Sequence, residues 1–128
     1  TKTFLSADSL DLVREGMIKA CDTGGTAWPL FKFRIQNSEL KIDNKNILPD
    51  PLASEAATLN NYRHVVIACK TGTAEHGGED TKPHAWITLF APAYDPEIVV
   101  TVLAEEIGEG SSEAGPIAKK IVEAYFGK

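Results

Sequence analysis

Three β-prone apolar runs in the second half of the chain constrain its fold more than any other feature. They are Val65–Cys69, Ala85–Ala91 and Ile98–Ala104. Turn-forming residues separate them, with Gly77-Gly78 before the second run and Tyr94-Asp95-Pro96 before the third. Consecutive strands with such connections favour an antiparallel meander. Because the last two runs are nearly continuous in apolar residues, we expect both faces of this sheet to be covered.

A helix is predicted before these runs, over residues 7–22. Ser6 is a suitable N-cap, and the glycine pair in Thr23-Gly24-Gly25 is a stop signal. Apolar residues recur there at three-to-four spacing, which predicts one buried stripe. This stripe comprises Leu10, Val13, Met17 and Ala20 or Cys21.

A second helix is predicted at the other end of the chain, from about Glu113 to Phe126. Ser111 or Ser112 is expected to cap it, and Pro116 is tolerated in its first turn. Its buried stripe is expected to comprise Ile117, Ile121 and Ala124 or Tyr125.

The segment between the first helix and the first β-prone run has weaker patterns. Residues 30–43 alternate between apolar and polar types around Gln36-Asn37-Ser38-Glu39, which predicts a hairpin. Residues 44–61 look irregular. Helix, sheet and helix in this order indicate an α+β fold, in which N- and C-terminal helices pack on an antiparallel sheet of three meander strands plus this hairpin.

The composition permits a folded core and excludes few functions. Of the 128 residues, 43% are apolar, which argues against disorder. Thirteen basic and eighteen acidic residues give a net charge of −5, which disfavours a nucleic-acid partner. No apolar run is long enough to span a membrane, and Thr1–Asp8 does not resemble a signal peptide. Cys21 and Cys69 could pair if the protein is exported, but both lie in apolar patterns, which favours buried free thiols over a disulfide.

The segment Cys69–Glu75 carries the chemistry that the sequence suggests. It contains Lys70, Thr71, Gly72 and Thr73, and it lies at the end of the first β-prone run, just before a turn. Because side chains alternate along a strand, the two threonine hydroxyls are expected on one side, and Lys70 adds a positive charge. Gly72 lets another backbone approach closely. These groups suit an extended peptide that pairs with the strand edge and ends in a carboxylate.

Lys70-Thr71-Gly72 is also the third motif of the serine penicillin-interacting enzymes. Its surroundings resemble the A-G-K-T-G-T-A-Q stretch of class B penicillin-binding proteins, with Cys69 in place of Gly and Glu75 in place of Gln. Four more segments are similar to family patterns: Val13–Met17 (V-x-x-G-M), Gly25–Ala27 (G-T-A), His84–Pro92 (a-W-F-x-G-F-a-P) and Gly108–Ala118 (G-x-G-S-S-x-A-A-P-V-A). The combination looks most like the penicillin-binding protein 2 branch, the elongation transpeptidases.

The resemblance implies the penicillin-binding and serine β-lactamase-like fold and D,D-transpeptidation through a serine acyl-enzyme, without cofactor or metal. It implies that Thr71 and Thr73 bind the terminal carboxylate of a D-Ala-D-Ala stem peptide or of a β-lactam. Lys70 would hold positive potential in the cleft, and the backbone N–H of Thr73 would belong to the oxyanion hole. Matching segments run from about residue 6 to 126. Residues 28–63 are the exception, and the resemblance implies that they are an insertion.

The nucleophile that such a family requires is not evident in the sequence. Ser38-Glu39-Leu40-Lys41 has the spacing Ser-x-x-Lys but lies in the predicted hairpin turn, and there is no Ser-x-Asn. We therefore expect residues 1–128 to be the C-terminal portion of a transpeptidase domain, inactive alone and completed by an upstream half. The parent protein would cross-link peptidoglycan on the extracytoplasmic (periplasmic) face of the cell membrane. An N-terminal anchor outside this chain would hold it at the membrane.

Other functions stay open at this point. A class D-like serine β-lactamase also has Lys-Thr-Gly before a Trp-containing strand, although Gly110–Pro116 argues against it. A β-lactam sensor domain and a binding module without catalysis are further alternatives. Five residues of metal-ligand types lie between two predicted strands, and we interpret them as a polar, solvated connection rather than a metal site. They are Glu75, His76, Glu79, Asp80 and His84.

Overall fold

The computed structural model describes residues 5–22, 24–27, 35–36, 47–48, 62–78 and 80–127. The elements are helix α1 (Ala7–Cys21), strands β1 (Ile35–Gln36), β2 (Ile47–Leu48), β3 (Tyr62–Val65), β4 (Ala68–Ala74), β5 (His84–Ala91) and β6 (Ile98–Ala104), a π-helical turn (Gly110–Ala114) and helix α2 (Gly115–Phe126). Two helices and an antiparallel three-stranded sheet confirm the predicted α+β class. Within the described ranges, no helix is long and apolar enough to cross a membrane.

The central sheet has the strand order β4-β5-β6, with both pairs antiparallel, and this confirms the meander. Burial alternates along β5 and β6, so one face of the sheet forms the core. The expectation that both faces would be covered is met only in part: Ala68 and Phe90 of the other face pack in a second cluster with Met17 of α1. On the same face Trp86 and Val99 are 38% and 67% exposed. Both strands alternate in burial although they do not alternate in polarity.

Helix α2 packs on the buried face of the sheet, but not through the predicted stripe. Ala118, Val122 and Phe126 face the core, whereas Ile117 and Ile121 are exposed. Both stripes are apolar. The buried stripe begins with Ala118, and this small side chain lets the helix approach the strands closely. Burial of Ile87, Leu89, Val122 and Phe126 stabilises the fold by about 1.5–3 kcal/mol each.

The predicted serine caps of the second helix are wrong. Residues Gly110–Ala114 form a π-helical turn that leads directly into α2, and neither Ser111 nor Ser112 caps a helix with its side chain. Ser112 Oγ instead donates to the carbonyl of Glu109 at 3.3 Å. The early Pro116 is tolerated as predicted, because it lies in the first turn of α2.

Helix α1 begins as predicted, because the Ser6 hydroxyl accepts a hydrogen bond from Ser9 N at 3.2 Å. Only the C-terminal part of its apolar stripe is buried. Leu10 and Val13 are exposed, whereas Met17 packs against a small second cluster of the core and Cys21 against the main one. The helix therefore contacts the sheet mainly through its last two turns.

Cys21 and Cys69 form a disulfide, so the expectation of buried free thiols is wrong. The end of α1 lies beside β4, and the two Cα atoms are 5.9 Å apart, within the range that disulfides span. Both residues are also buried, as predicted. An apolar sequence pattern predicts that each cysteine is buried, but it does not indicate whether the two sulfur atoms lie close enough to form a disulfide.

A small second sheet has β3 between β1 and β2, both antiparallel to it. Gln36, predicted to begin a hairpin turn, lies instead in β1, opposite Tyr62 of β3. Apart from Ile35 and Gln36, that hairpin lies outside the described residues, including Ser38–Lys41, and so does most of the predicted insertion 28–63. The insertion stays a prediction.

Candidate functional site

The segment from Lys70 to Thr73 lies inside β4, an outer strand of the central sheet. The sequence placed this segment at the end of a β-prone run, before a turn. Instead the strand pairing is interrupted at Val66-Ile67, and β4 continues through the segment because it pairs with β5 from Ala68↔Phe90 to Ala74↔His84. No strand in the described ranges pairs with the other side of β4, so the segment lies on a strand edge.

Thr71 and Thr73 lie on the same face of β4. Thr71 is opposite Ile87 and Thr73 is opposite Ala85, and both of these β5 residues are fully buried in the core. Burial falls along this face of β4, since Cys69 is buried, Thr71 is half-buried and Thr73 is exposed. The two hydroxyls therefore lie at the rim of the core, where a polar ligand can reach them.

Lys70 is exposed and lies on the opposite face of β4, because side chains alternate along a strand. Its ammonium nevertheless reaches back and donates a hydrogen bond to the backbone carbonyl of Thr71. The positive charge of Lys70 therefore lies beside the backbone of Thr71, although its side chain leaves the strand from the face opposite the two threonine hydroxyls.

The π-helical turn packs directly on β4 at Gly72. A Cβ atom on Gly110 would lie 2.5 Å from the Gly72 carbonyl oxygen and 2.2 Å from the Trp86 carbonyl oxygen. A Cβ atom on Gly72 itself would lie 3.3 Å from Trp86 Cβ. Glycine at 110 thus permits backbone contact between the turn and the two strands. The segment Gly108–Ala118, which resembles a family pattern, thus supports the strand that carries Lys70–Thr73.

One polar contact of this strand was missed by the sequence reasoning. Thr71 Oγ1 donates a hydrogen bond to Thr26 Oγ1 at 3.2 Å, across 45 positions of sequence. Thr26 lies in the short turn after α1, within Gly25-Thr26-Ala27. The only signal in the sequence was the similarity of these three residues to a family pattern, which assigns Thr26 no partner.

The polar connection between β4 and β5 is organised by two stacked histidines. The rings of His76 and His84 are 3.8 Å apart and nearly parallel. His84 Nδ1 accepts a hydrogen bond from Glu106 N at 3.0 Å, and the Glu106 carboxylate lies 3.7 Å from His76 Nε2. A cavity of about 380 Å³ lies here. It is lined by Glu75, His76, Gly77, Gly78, Thr81 and Pro83.

These groups do not converge as metal ligands. Among the described residues, no three His, Cys, Asp or Glu side chains are grouped so that they could hold a metal ion. Glu79, one of the five residues of the suggested cluster, lies outside the described ranges.

The sequence matches the penicillin binding protein transpeptidase domain family over residues 45–123. It is 48% identical over 67 residues to the peptidoglycan D,D-transpeptidase PbpA of Mycolicibacterium smegmatis, covering 47% of this chain and 14% of PbpA. It is 37% identical over 79 residues to the peptidoglycan D,D-transpeptidase MrdA of Haemophilus influenzae, covering 52% of this chain and 12% of MrdA. The chain therefore spans only a small part of these curated relatives.

Solved structures agree with these matches. The structure of the complex between the penicillin-binding protein PBP2 and MreC from Helicobacter pylori matches this chain with a TM-score of 0.57 at 28% identity. The match covers 94% of this chain and 18% of the chain in that structure. The D,D-transpeptidase domain of a peptidoglycan glycosyltransferase from Eggerthella lenta gives a TM-score of 0.55 at 22% identity, which shows the fold alone. Together the comparisons confirm the predicted family and its fold.

Proposed function

Because this chain belongs to the transpeptidase domain family of penicillin-binding proteins, we propose that it forms one wall of the active site of a peptidoglycan D,D-transpeptidase. The wall is the segment Lys70–Thr73 of β4. Its ligand is the terminal carboxylate of a D-Ala-D-Ala stem peptide, or the carboxylate of a β-lactam.

The observation that carries this proposal is the placement of two threonine hydroxyls and one ammonium on the edge of an outer strand. Thr71 and Thr73 share a face and become more exposed towards Ala74, and the ammonium of Lys70 is bonded to the backbone carbonyl of Thr71. A carboxylate accepts hydrogen bonds from hydroxyls and is attracted by a fixed positive charge. An extended peptide can add through its backbone to the edge of β4 that pairs with no described strand.

We assign a distinct role to each group of the wall. The hydroxyls of Thr71 and Thr73 orient the substrate through its carboxylate. Lys70 holds positive potential in the cleft, and Gly72 lets the substrate backbone approach β4. The backbone N–H of Thr73 stabilises the oxyanion that develops on the attacked carbonyl, a contribution that typically accounts for about 10²–10³ in rate per donor.

The nucleophile is assigned to a part of the domain outside this chain. Its serine hydroxyl attacks the carbonyl carbon between the two D-alanines, the terminal D-alanine leaves with a proton as the free amino acid, and an acyl-enzyme forms. The amine of a neighbouring stem peptide then attacks this ester, which forms the cross-link and restores the serine. The complete protein would act on the extracytoplasmic face of the cell membrane, where peptidoglycan lies.

Labelling with a fluorescent penicillin tests this proposal. The full-length protein that contains this chain should form a covalent adduct, and the isolated chain should form none. Thr71→Val and Thr73→Val should each lower the acylation rate about ten- to hundredfold, since each removes a hydrogen bond to a charged group. An adduct on the isolated chain, or rapid release of hydrolysed penicillin by the full-length protein, would contradict the proposal; the second outcome indicates a β-lactamase.

Thr101→Val is the matched control. Thr101 is an exposed threonine of β6 whose hydroxyl pairs with that of Thr88 at 3.1 Å, two strands away from the outer edge of β4. Its loss should leave the acylation rate unchanged.

A further inference from the structure

We propose that Thr26 is a positioning residue, which holds the hydroxyl of Thr71 in the orientation that binds the substrate carboxylate. This inference rests on the proposed function of Thr71. Its basis is the hydrogen bond between the two hydroxyls, 3.2 Å long, which joins the turn after α1 to the middle of β4. Thr26 touches no reacting group in this scheme and acts only through Thr71.

The turn that carries Thr26 is tightly fixed to the end of α1. Gly25 N donates to the carbonyl of Asp22 at 2.8 Å, and Ala27 N donates to the carbonyl of Ala20 at 2.9 Å. Ala27 is fully buried. A Cβ atom on Gly25 would lie 2.3 Å from the carbonyl oxygen of Lys19, so the turn closes only with glycine at this position.

The same end of α1 is also bonded covalently to β4. The disulfide joins Cys21 to Cys69, and Cys69 lies two positions before Thr71 on the same face of the strand. Thr26 and Thr71 are thus presented to each other from two backbone segments that the disulfide holds together. Because both segments are already held in place, the hydrogen bond between the two hydroxyls costs little further conformational entropy.

The chemistry of two hydroxyls explains how Thr26 assists without competing for the ligand. A hydroxyl has one proton to donate and two lone pairs to accept with. In the structure Thr71 donates to Thr26. When a carboxylate binds, the proton of Thr71 turns to the carboxylate and the proton of Thr26 turns to Thr71 Oγ1. Thr71 then keeps its orientation, and a donor that itself accepts a hydrogen bond is a stronger donor.

The test compares two β-lactams that differ only in the carboxylate. Acylation rate constants are measured for the full-length protein with benzylpenicillin and with its methyl ester. Thr26→Val, which removes the hydroxyl and keeps the shape, should slow acylation by benzylpenicillin about three- to tenfold, the effect of one ordinary hydrogen bond. It should leave acylation by the ester within about twofold, and Thr26→Ser should behave as the wild type.

A double-mutant cycle isolates the contact. In a Thr71→Val background, Thr26→Val should have no further effect on either β-lactam. Thr101→Val serves again as the matched loss of an exposed hydroxyl pair and should change neither rate.

The outcomes separate this inference from the proposed function. If Thr26→Val slows both β-lactams equally, or slows neither, while Thr71→Val slows benzylpenicillin selectively, the positioning role is wrong and the carboxylate site stands. If Thr71→Val has no selective effect, or the wild-type protein is not acylated, the proposed function fails and this inference fails with it.

Discussion

Gly110 lies directly against Gly72, so close that a Cβ atom on Gly110 would come within 2.5 Å of the Gly72 carbonyl oxygen. The π-helical turn that opens α2 therefore stacks backbone to backbone on the strand that carries the candidate site. Gly72 and Gly110 are 38 positions apart in sequence. Their contact joins the candidate site to the core on which α2 packs.

Gly110→Ala should therefore destabilise the protein. The methyl group meets backbone atoms of β4 and β5 rather than a mobile side chain, so a strand or the turn has to move, at a cost of about 1–3 kcal/mol. The midpoint of thermal unfolding of the full-length protein measures this, and its acylation rate by penicillin should fall because Gly72 is displaced.

Gly16→Ala is the matched control for Gly110→Ala. Gly16 lies within α1, and a Cβ atom there would have nothing within 4 Å. The change should raise stability by about 0.5–1 kcal/mol, the difference in helix propensity. Equal effects of the two substitutions would contradict the close contact at Gly110.

The disulfide between Cys21 and Cys69 should be present in the purified protein and should stabilise it. The two cysteines are 48 residues apart in sequence. For this separation, loop-closure entropy gives a stabilisation of at most about 4 kcal/mol, and 2–4 kcal/mol is typical of disulfides. Titration of thiols after denaturation without reductant should detect neither of these two cysteines. Reductant should lower the unfolding midpoint of the wild type but not of a Cys21→Ser/Cys69→Ser variant. Both thiols free in the unreduced protein would contradict the structure.

Tyr94 links the loop after β5 to α1 and should make stability sensitive to alkaline pH. Its hydroxyl donates to the Glu15 carboxylate at 2.7 Å, and this hydrogen bond, with burial and the negative charge of Glu15, raises the pKa of Tyr94 above its ordinary value of 10.0. Arg14, near the ring, opposes this shift. The hydrogen bond favours the neutral phenol.

The sign of the pH dependence follows from linkage. Because the pKa of Tyr94 is higher in the folded protein, its contribution to stability is fully present below the unfolded value and is lost as pH rises through the folded pKa. Unfolding measured between neutral and strongly alkaline pH should show a steeper loss for the wild type than for Tyr94→Phe. Parallel curves for the two proteins would show that this hydrogen bond does not form.

The sequence was sufficient to predict the parts of the fold whose patterns are local. Three β-prone runs with short connections predicted the meander β4-β5-β6, and Ser6 predicted the start of α1. Lys70–Thr73 was expected at a strand edge and lies on one, although β4 continues through the segment instead of ending before it. Each of these depends on neighbours in sequence.

The errors concern features that only tertiary contacts decide. Helix α2 has two adjacent apolar stripes, and the shape of the sheet selects the one with Ala118 rather than the one with Ile117. The pairing of Cys21 with Cys69 depends on where α1 lies beside β4. The contact of Thr26 with Thr71 is of the same kind, since a lone threonine in a turn gives no sign of its partner.

The most direct measurement of the central claim is a crystal structure of the full-length protein acylated by benzylpenicillin. We predict that the carboxylate of the bound antibiotic lies within hydrogen-bond distance, about 2.5–3.0 Å, of both Thr71 Oγ1 and Thr73 Oγ1. We predict further that the acyl carbonyl oxygen accepts from Thr73 N, with the ring of the antibiotic along the outer edge of β4. A carboxylate bound elsewhere, with both threonine hydroxyls facing solvent, would contradict the assignment of this strand as the wall of the site.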